Sequence, residues 1–339
     1  MTFGRRVKLA DVARTAGVSP ATVSRAISQP ELVSEETLAR VRAAAQSLGY
    51  LPDAAARALA SGRSMTIGAV VPTLDSTIFA RFLQSMQLAL TRESYQLLVA
   101  SHEMSPAAET EAVRTLLARG ADGIILVGGD RPRATVDLLT ASGVPTVLTW
   151  CGSPNFASVT VDNEEAGHLA AEHLLGLGHT RIGVVSGRLS FNDRQRARLA
   201  GARAAARKAG LDIPDWCVSE QDLTLAGGRS GCAALLQLDS RPTAIIGTID
   251  LIAIGCLQEA QARGLAVPSA LSVVGIDDID MSAYITPSLT TVHIPTSRIG
   301  QTAAAMVIAL IGGGGGASNV HLPIELVVRR STAASPPRT

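Results

Sequence analysis

The stretch from Val7 to Ile27, VKLADVARTAGVSPATVSRAI, constrains this chain more than any other. It reads as two short helices joined by a tight turn. Leu9, Val12, Ala13 and Ala16 fall at i, i+3, i+4 and i+7, one apolar face of a 3.6-residue period. Gly17 follows, where a helix end favours a residue that tolerates the left-handed conformation. The second helix has a strong start signal. Ser19 can cap its free N–H groups, and Pro20 occupies the first helical position, where a missing donor costs nothing. Val23 and Ile27 then face inward, and Pro20, Ala21, Thr22, Ser24, Arg25 and Ser28 face outward. That outward face is small, polar and tipped with one arginine, which suits close approach to phosphates and base edges. The alternatives for Arg25 are a solvated helix residue or a plain phosphate clamp.

Charge distribution supports the nucleic-acid reading. The 339 residues carry a net charge of only +1. Residues 1–63, however, hold nine Lys and Arg against five acids, so a basic head precedes a mildly acidic body. The four cysteines, Cys151, Cys217, Cys232 and Cys256, lie far apart with no C-x-x-C spacing. They read as buried thiols of a reducing compartment, and no metal or cofactor is expected. The N-terminus is polar and basic rather than signal-like, and no apolar stretch reaches membrane-spanning length. A cytoplasmic, nucleoid-associated protein is expected.

Beyond Ile27, Ser34 can cap a third helix whose stripe is Leu38, Val41, Ala45 and Leu48, ending at Gly49. Asp53 can cap a short Ala-rich helix to about Ala60, too weak to persist alone. From Met65 the texture changes. Apolar β-branched runs such as TIGAVV, GIILV, RIGVV and LSVVGI alternate with helical stretches, the pattern of buried parallel strands. A strand–helix unit beginning at Thr66 has a counterpart beginning at Arg181, so two similar α/β lobes with a cleft between them are expected. The expected domains are an all-α helix-turn-helix head at 1–50, a hinge helix and linker at 51–64, a two-lobed body at 65–332 and a disordered tail at 333–339. Gly312 to Gly316 reads as a flexible surface loop.

These motifs, in this order, resemble the LacI/GalR family of bacterial transcriptional regulators. The runs that carry the resemblance are VSPATVSRAI, LVSEETLARV, LGYLPDAAARALAS, VDNEEAG, HLLGLGHTRIGVVSG and LSVVGIDD followed by PSLTTV. The resemblance spans nearly the whole chain. It implies a head plus a periplasmic-binding-protein-like α/β body with two doubly wound parallel sheets. It also implies a homodimer, or a tetramer of two such dimers, on double-stranded, near-palindromic operator DNA. By resemblance, Pro20, Ala21 and Arg25 meet base edges in the major groove, while Thr22 and Ser24 contact phosphates or support the turn beside Ser19. Leu59, with Ala56 on the same face, wedges into the minor groove; simple contact with a neighbouring domain is the alternative.

The same resemblance places a small-molecule effector against Phe79, Trp150, Arg194, Arg198 and Asp277. The alternatives are core packing for Trp150, a surface ion pair for Arg198 and a turn cap for Asp277. Two positions depart from the family pattern. Ile249 and Ile294 stand where many members carry hydrogen-bonding side chains. The strings LTW at 148–150, FNDR at 191–194 and GIDDID at 275–280 look more like the gluconate-repressor branch, which implies a sugar acid such as gluconate paired with Arg194 or Arg198.

Two other classes compete. A solute-binding protein would explain the body but not the head. An enzyme is disfavoured: nucleophile elbow, GxGxxG after a strand and HExxH are all missing, His168 and His173 have poor metal spacing, and His179 reads as a structural hydrogen-bonder. Whether the effector releases DNA or is needed to bind it stays open at this level.

Overall fold

Ser19 caps the second helix as its sequence predicts: its Oγ accepts the Thr22 N–H at 3.1 Å. The computed structural model describes residues 7–51, 62–314 and 319–336. Asp53, Ala56 and Leu59 of the expected hinge helix lie outside the described residues, as do Gly315, Gly316 and residues 337–339. The chain divides into two units, residues 1–66 and 67–339.

In the first unit, α1 (Leu9–Ala16), α2 (Pro20–Ser28) and α3 (Glu35–Leu48) enclose a small core of Val12, Ala13, Ala16, Val23, Ala26, Val41 and Ala44. Gly17 and Gly49 close α1 and α3 in the left-handed conformation, at φ 66° and 62°. Ser34 caps α3 through the Thr37 N–H at 3.4 Å.

The second unit holds both lobes. The first lobe contains β1 (Thr66–Val71), α4 (Thr77–Arg92), β2 (Gln96–Ser101), α5 (Pro106–Ala118), β3 (Gly123–Val127), α6 (Arg133–Ser142), β4 (Thr146–Thr149) and β5 (Ala157–Thr160). The second contains α7 (Asn163–Gly176), β6 (Ile182–Gly187), α8 (Asp193–Lys208), β7 (Val218–Gln221), α9 (Leu225–Leu236), β8 (Ala244–Gly247), α10 (Asp250–Ala262), β9 (Ser272–Asp277), α11 (Asp280–Tyr284) and β10 (Thr290–His293). Next, α12 (Thr296–Ile311) and β11 (Asn319–His321) return to the first lobe, and β12 (Glu325–Val327) ends on the second. The chain therefore crosses between lobes three times.

The sheet orders are β11-β5-β4-β3-β1-β2 and β12-β10-β9-β8-β6-β7. Matching parallel registers, Ile67 opposite Gly123 and Ile182 opposite Ala244, reflect the repeat seen in sequence. Strands β3, β4, β6, β8 and β9 are buried along their whole length, which is why they read as unbroken apolar runs. Both sheets are dominated by parallel pairs, as expected, and one strand runs the other way: β12 pairs antiparallel with β10. It enters directly from the other lobe with no crossover helix of its own, and a parallel neighbour needs one.

The helices α7 and α8 touch backbone to backbone. A Cβ added at Gly167 would stand 1.8 Å from the Arg198 carbonyl oxygen, and one at Gly201 would stand 1.8 Å from that of Glu164. That approach fixes where the N-terminal turn of α8 sits. The tail needs a correction. Ala333 to Pro336 are described, and they are tied down rather than disordered. The Ala333 carbonyl accepts from His179 Nε2 at 3.0 Å, and the Ser335 N–H donates to Leu177 O at 2.8 Å. Bonds to residues far away in sequence hold this segment, and composition does not report those. His179 also meets Thr243 at 2.9 Å and stays neutral, its pKa lowered by burial, so it is the structural hydrogen-bonder expected.

Candidate functional site

The head presents its second helix outward. Ser19, Pro20, Ala21, Ser24, Arg25 and Ser28 are exposed, and Thr22 is half-buried with its hydroxyl 2.8 Å from Ser19 Oγ. Val23 and Ala26 are buried, and Ile27, half-buried, packs against the same core. Among the described residues Arg25 has no carboxylate partner, so its guanidinium is available to an anionic surface.

In the body, a cleft of about 690 Å³ opens between the lobes. The residues expected to touch an effector all line it: Phe79 from α4, Trp150 after β4, Arg194 and Arg198 from α8, and Asp277 at the end of β9. Trp150 is 2 % exposed. Phe82 and Phe79 hold its ring edge-on, at centroid distances of 4.8 and 5.8 Å. Core packing and cleft lining, the two alternatives for this residue, are therefore both realised.

Arg198 is a buried anchor rather than a surface residue, at 3 % exposure. Its Nε donates to Asn163 Oδ1 at 3.1 Å, and its Nη1 donates to Thr248 O at 2.6 Å and to Asp277 Oδ1 at 3.1 Å. Burial pushes the Asp277 carboxyl up to about 7 even though Arg198 pulls it down. Arg194 in turn donates to Asp193 Oδ1 at 3.0 Å.

The lobes are clasped beside the cleft. Asp193 Oδ2 accepts the Gly129 N–H at 2.8 Å, and Arg196 grips both Asp130 oxygens at 2.7 and 2.6 Å. Arg81 and Asp280 pair across the lobes as well. Around Arg194 lie the buried side-chain atoms that, among the described residues, have no hydrogen-bond partner: His102 Nδ1, Glu109 Oε1, and Arg131 Nε and Nη1. Burial, then Arg194 and Arg131, lower the His102 pKa to about 4, so this imidazole is neutral.

Backbone strain also concentrates here. Glu103, Met104, Trp150, Phe191 and Asp277 all line the cleft with positive φ. Non-glycine residues rarely adopt that conformation, and where the surroundings enforce it a functional surface is commonly nearby.

Two family models match this chain. Residues 8–53 match bacterial regulatory proteins of the lacI family, and residues 171–332 match the periplasmic binding protein-like domain. The HTH-type transcriptional regulator MalR of Streptomyces coelicolor is 36 % identical over 341 residues, covering 97 % of each chain. This chain belongs to the LacI family.

Solved structures agree with the LacI assignment across the full length. The lac repressor dimer bound to operator and the anti-inducer ONPF superposes with a TM-score of 0.88 at 29 % identity, covering 97 % of this chain and all of that one. A complex of the regulator CelR with cellobiose gives 0.73 at 28 % identity, covering 96 % and 100 %. The protein is thus a DNA-binding transcriptional regulator of the LacI family and not an enzyme. Among the described residues no helix is long and apolar enough to cross a membrane, and no group of His, Cys, Asp or Glu is placed to hold a metal.

The two departures from the LacI pattern resolve differently. Ile249 does line the cleft, so an apolar surface stands there. Ile294 is buried away from it. Asp250, beside Ile249, is a structural hub: Oδ2 accepts from the Ile279 N–H at 2.9 Å and from Ser282 Oγ at 2.6 Å, and Oδ1 accepts from Thr291. Asp278 pairs with Arg329 at 2.7 Å and His293 at 3.0 Å. Sequence reasoning passed over Phe191, Gln195 and the Asp130–Arg196 clasp. A motif reading weighted toward known family contacts gives no weight to a loop aromatic or to an ion pair 66 residues apart in sequence.

Proposed function

We propose that this LacI-family regulator is a repressor of sugar-catabolism genes that binds a palindromic operator as a homodimer and leaves it when a small, neutral sugar fills the cleft. One observation carries the choice of ligand. Each cleft arginine already has a carboxylate partner: Arg188 with Asp222 at 3.2 Å, Arg194 with Asp193 at 3.0 Å and Arg198 with Asp277 at 3.1 Å. A sugar acid such as gluconate would have to compete with one of these carboxylates for its arginine. Hydroxyl groups need only join the network, donating to its oxygens and accepting from its N–H groups. The cellobiose bound to CelR is a ligand of this kind.

The dimer is supported by apolar surface on both lobes. Leu98 and Val99 are exposed on β2, an edge strand, and Met281 and Tyr284 are exposed on α11. Two-fold symmetry of the protein implies two-fold symmetry of the operator. In this reading Pro20, Ala21 and Arg25 read bases, Ser19, Thr22 and Ser24 hold phosphates, and Ala56 and Leu59 reach the minor groove. The protein then works in the cytoplasm, on the nucleoid.

A mobility-shift titration of the full chain on palindromic fragments from its own upstream region tests this. Retention at low salt, falling steeply as salt rises, is expected. Arg25→Ala should abolish it while leaving sugar-induced thermal stabilisation of the body intact. No retained palindrome, or full retention by Arg25→Ala, overturns the assignment. Release by gluconate with no response to neutral sugars overturns the choice of ligand.

A further inference from the structure

Phe191 stands out on the turn between β6 and α8. It is 58 % exposed, and its φ of 51° lies in the left-handed region that bulky residues avoid. More than half of its surface meets solvent, so core packing does not account for it. The next residue explains how the strain is held: the Asn192 side chain caps α8 through the Gln195 N–H at 3.4 Å, and the close contact of α8 with α7 fixes that helix.

The ring lines the same cleft as Phe79 and Trp150 but comes from the opposite lobe. Trp150, almost fully buried, lies at the floor; Phe191 stands at the rim. The cleft thus has aromatic surface at two depths and on two walls. Its volume of about 690 Å³ sits in the upper half of the 300–1,000 Å³ common for small-molecule sites. Polar groups line the cleft as well: Arg188 and Asp222 on one wall, Glu103 on the other.

We propose that Phe191 is a second stacking surface and that the effector is a two-ring neutral glycoside, one ring against Trp150 and Phe79 and the other under Phe191. This rests on the reading of the cleft as a neutral-sugar site. It adds the size of the ligand and the residue that selects it. A single pyranose reaching the floor leaves Phe191 in water, whereas a second ring covers it.

The test is fluorescence titration of the full-length protein with cellobiose, maltose and p-nitrophenyl β-D-glucoside as two-ring probes. Glucose and ribose serve as one-ring probes, and gluconate as the acid. At least one two-ring probe should bind ten or more times tighter than either one-ring probe. Phe191→Ala should lose about tenfold on that probe and less than twofold on the one-ring probes, the size expected of one aromatic stacking contact. Phe191→Trp should restore it. Equal losses on both probe classes, no loss on either, or failure of Phe191→Trp to rescue overturns the assignment of Phe191. Binding of one-ring sugars alone overturns the two-ring inference and leaves the neutral-sugar reading standing. Binding of gluconate alone, or of no probe at all, overturns both.

Discussion

Replacing Arg198 by Met should destabilise the effector body by an amount that grows with pH above neutrality. The side chain keeps its length but loses three donations, to Asn163 Oδ1, Thr248 O and Asp277 Oδ1. Below pH 7 Asp277 takes up a proton, because burial has already pushed its pKa to about 7. No buried charge is then stranded. The cost is that of buried acceptors left unmatched, about 2–5 kcal/mol in all. Above pH 7 the two proteins diverge. A carboxyl raised above its unfolded value makes the folded state bind more protons than the unfolded one. The contribution of Asp277 to wild-type stability is therefore greatest at the acid end, falls as pH rises from about 4 to about 7, and is level beyond. Arg198 is what holds the value down to 7, so the variant's carboxyl titrates higher and its stability keeps falling. The gap should widen by up to about 1.4 kcal/mol per pH unit between pH 7 and 9. Urea unfolding followed by tryptophan fluorescence at pH 6, 7, 8 and 9 measures it, since Trp150 is buried in the same cleft. The double variant R198M/D277N, which lacks the titrating group, should show a level gap over the same range. A gap for R198M that is equal at pH 6 and pH 9 would refute the reasoning, because Asp277 would then be ionised throughout and held by something other than Arg198.

Three further outcomes are expected. Gly201→Ala should cost more than about 3 kcal/mol or abolish soluble expression, because its Cβ would overlap the Glu164 carbonyl and α7 cannot retreat without dislodging Arg198; thermal melting of the body reads this. Ser19→Ala should cost the head about 1 kcal/mol through loss of the Thr22 cap, seen as a lower melting temperature of the operator-free protein and weaker operator binding. Arg196→Ala removes the grip on Asp130 and should weaken effector affinity about threefold to fivefold with little change in melting temperature; calorimetric titration with the best-binding sugar distinguishes this from a general loss of stability.

The sequence was most legible where structure is decided locally. Ser19, Ser34, Gly17 and Gly49 each announced a helix boundary, because capping is a matter of the neighbouring three or four residues. The central strands announced themselves by burial on both faces. Where a residue's role depends on what comes from far along the chain, the sequence was silent. Nothing around Asp250 in sequence marks it, yet its bonds to Ile279, Ser282 and Thr291 make it internal scaffolding. Ile294 looked like a lost pocket residue and faces elsewhere. Arg194, Arg198 and Asp277 were found as cleft residues from their positions, but the pairing of each arginine with a carboxylate was not, and that pairing bears on the chemistry of the expected ligand. β12 and the Ala333–Pro336 segment are too short for a period and are held by partners on other elements.

The three crossings between lobes bear on how the chain is made. α12 packs on α4, where Gly300 lies directly against Phe82 and Ser85, yet it follows the whole of the second lobe's central sheet in sequence. During synthesis the first lobe therefore waits, its α4 face uncovered, while β6 to β10 emerge and pair. The second lobe in turn lacks its outer strand until β12 is out, and Ser331 must arrive before it can accept the Thr290 N–H. Neither lobe can be finished early and set aside. A chain stalled after Ile311 would lack β11 and β12 and leave β5 and β10 as edge strands, so both lobes depend on residues 319–331 for completion.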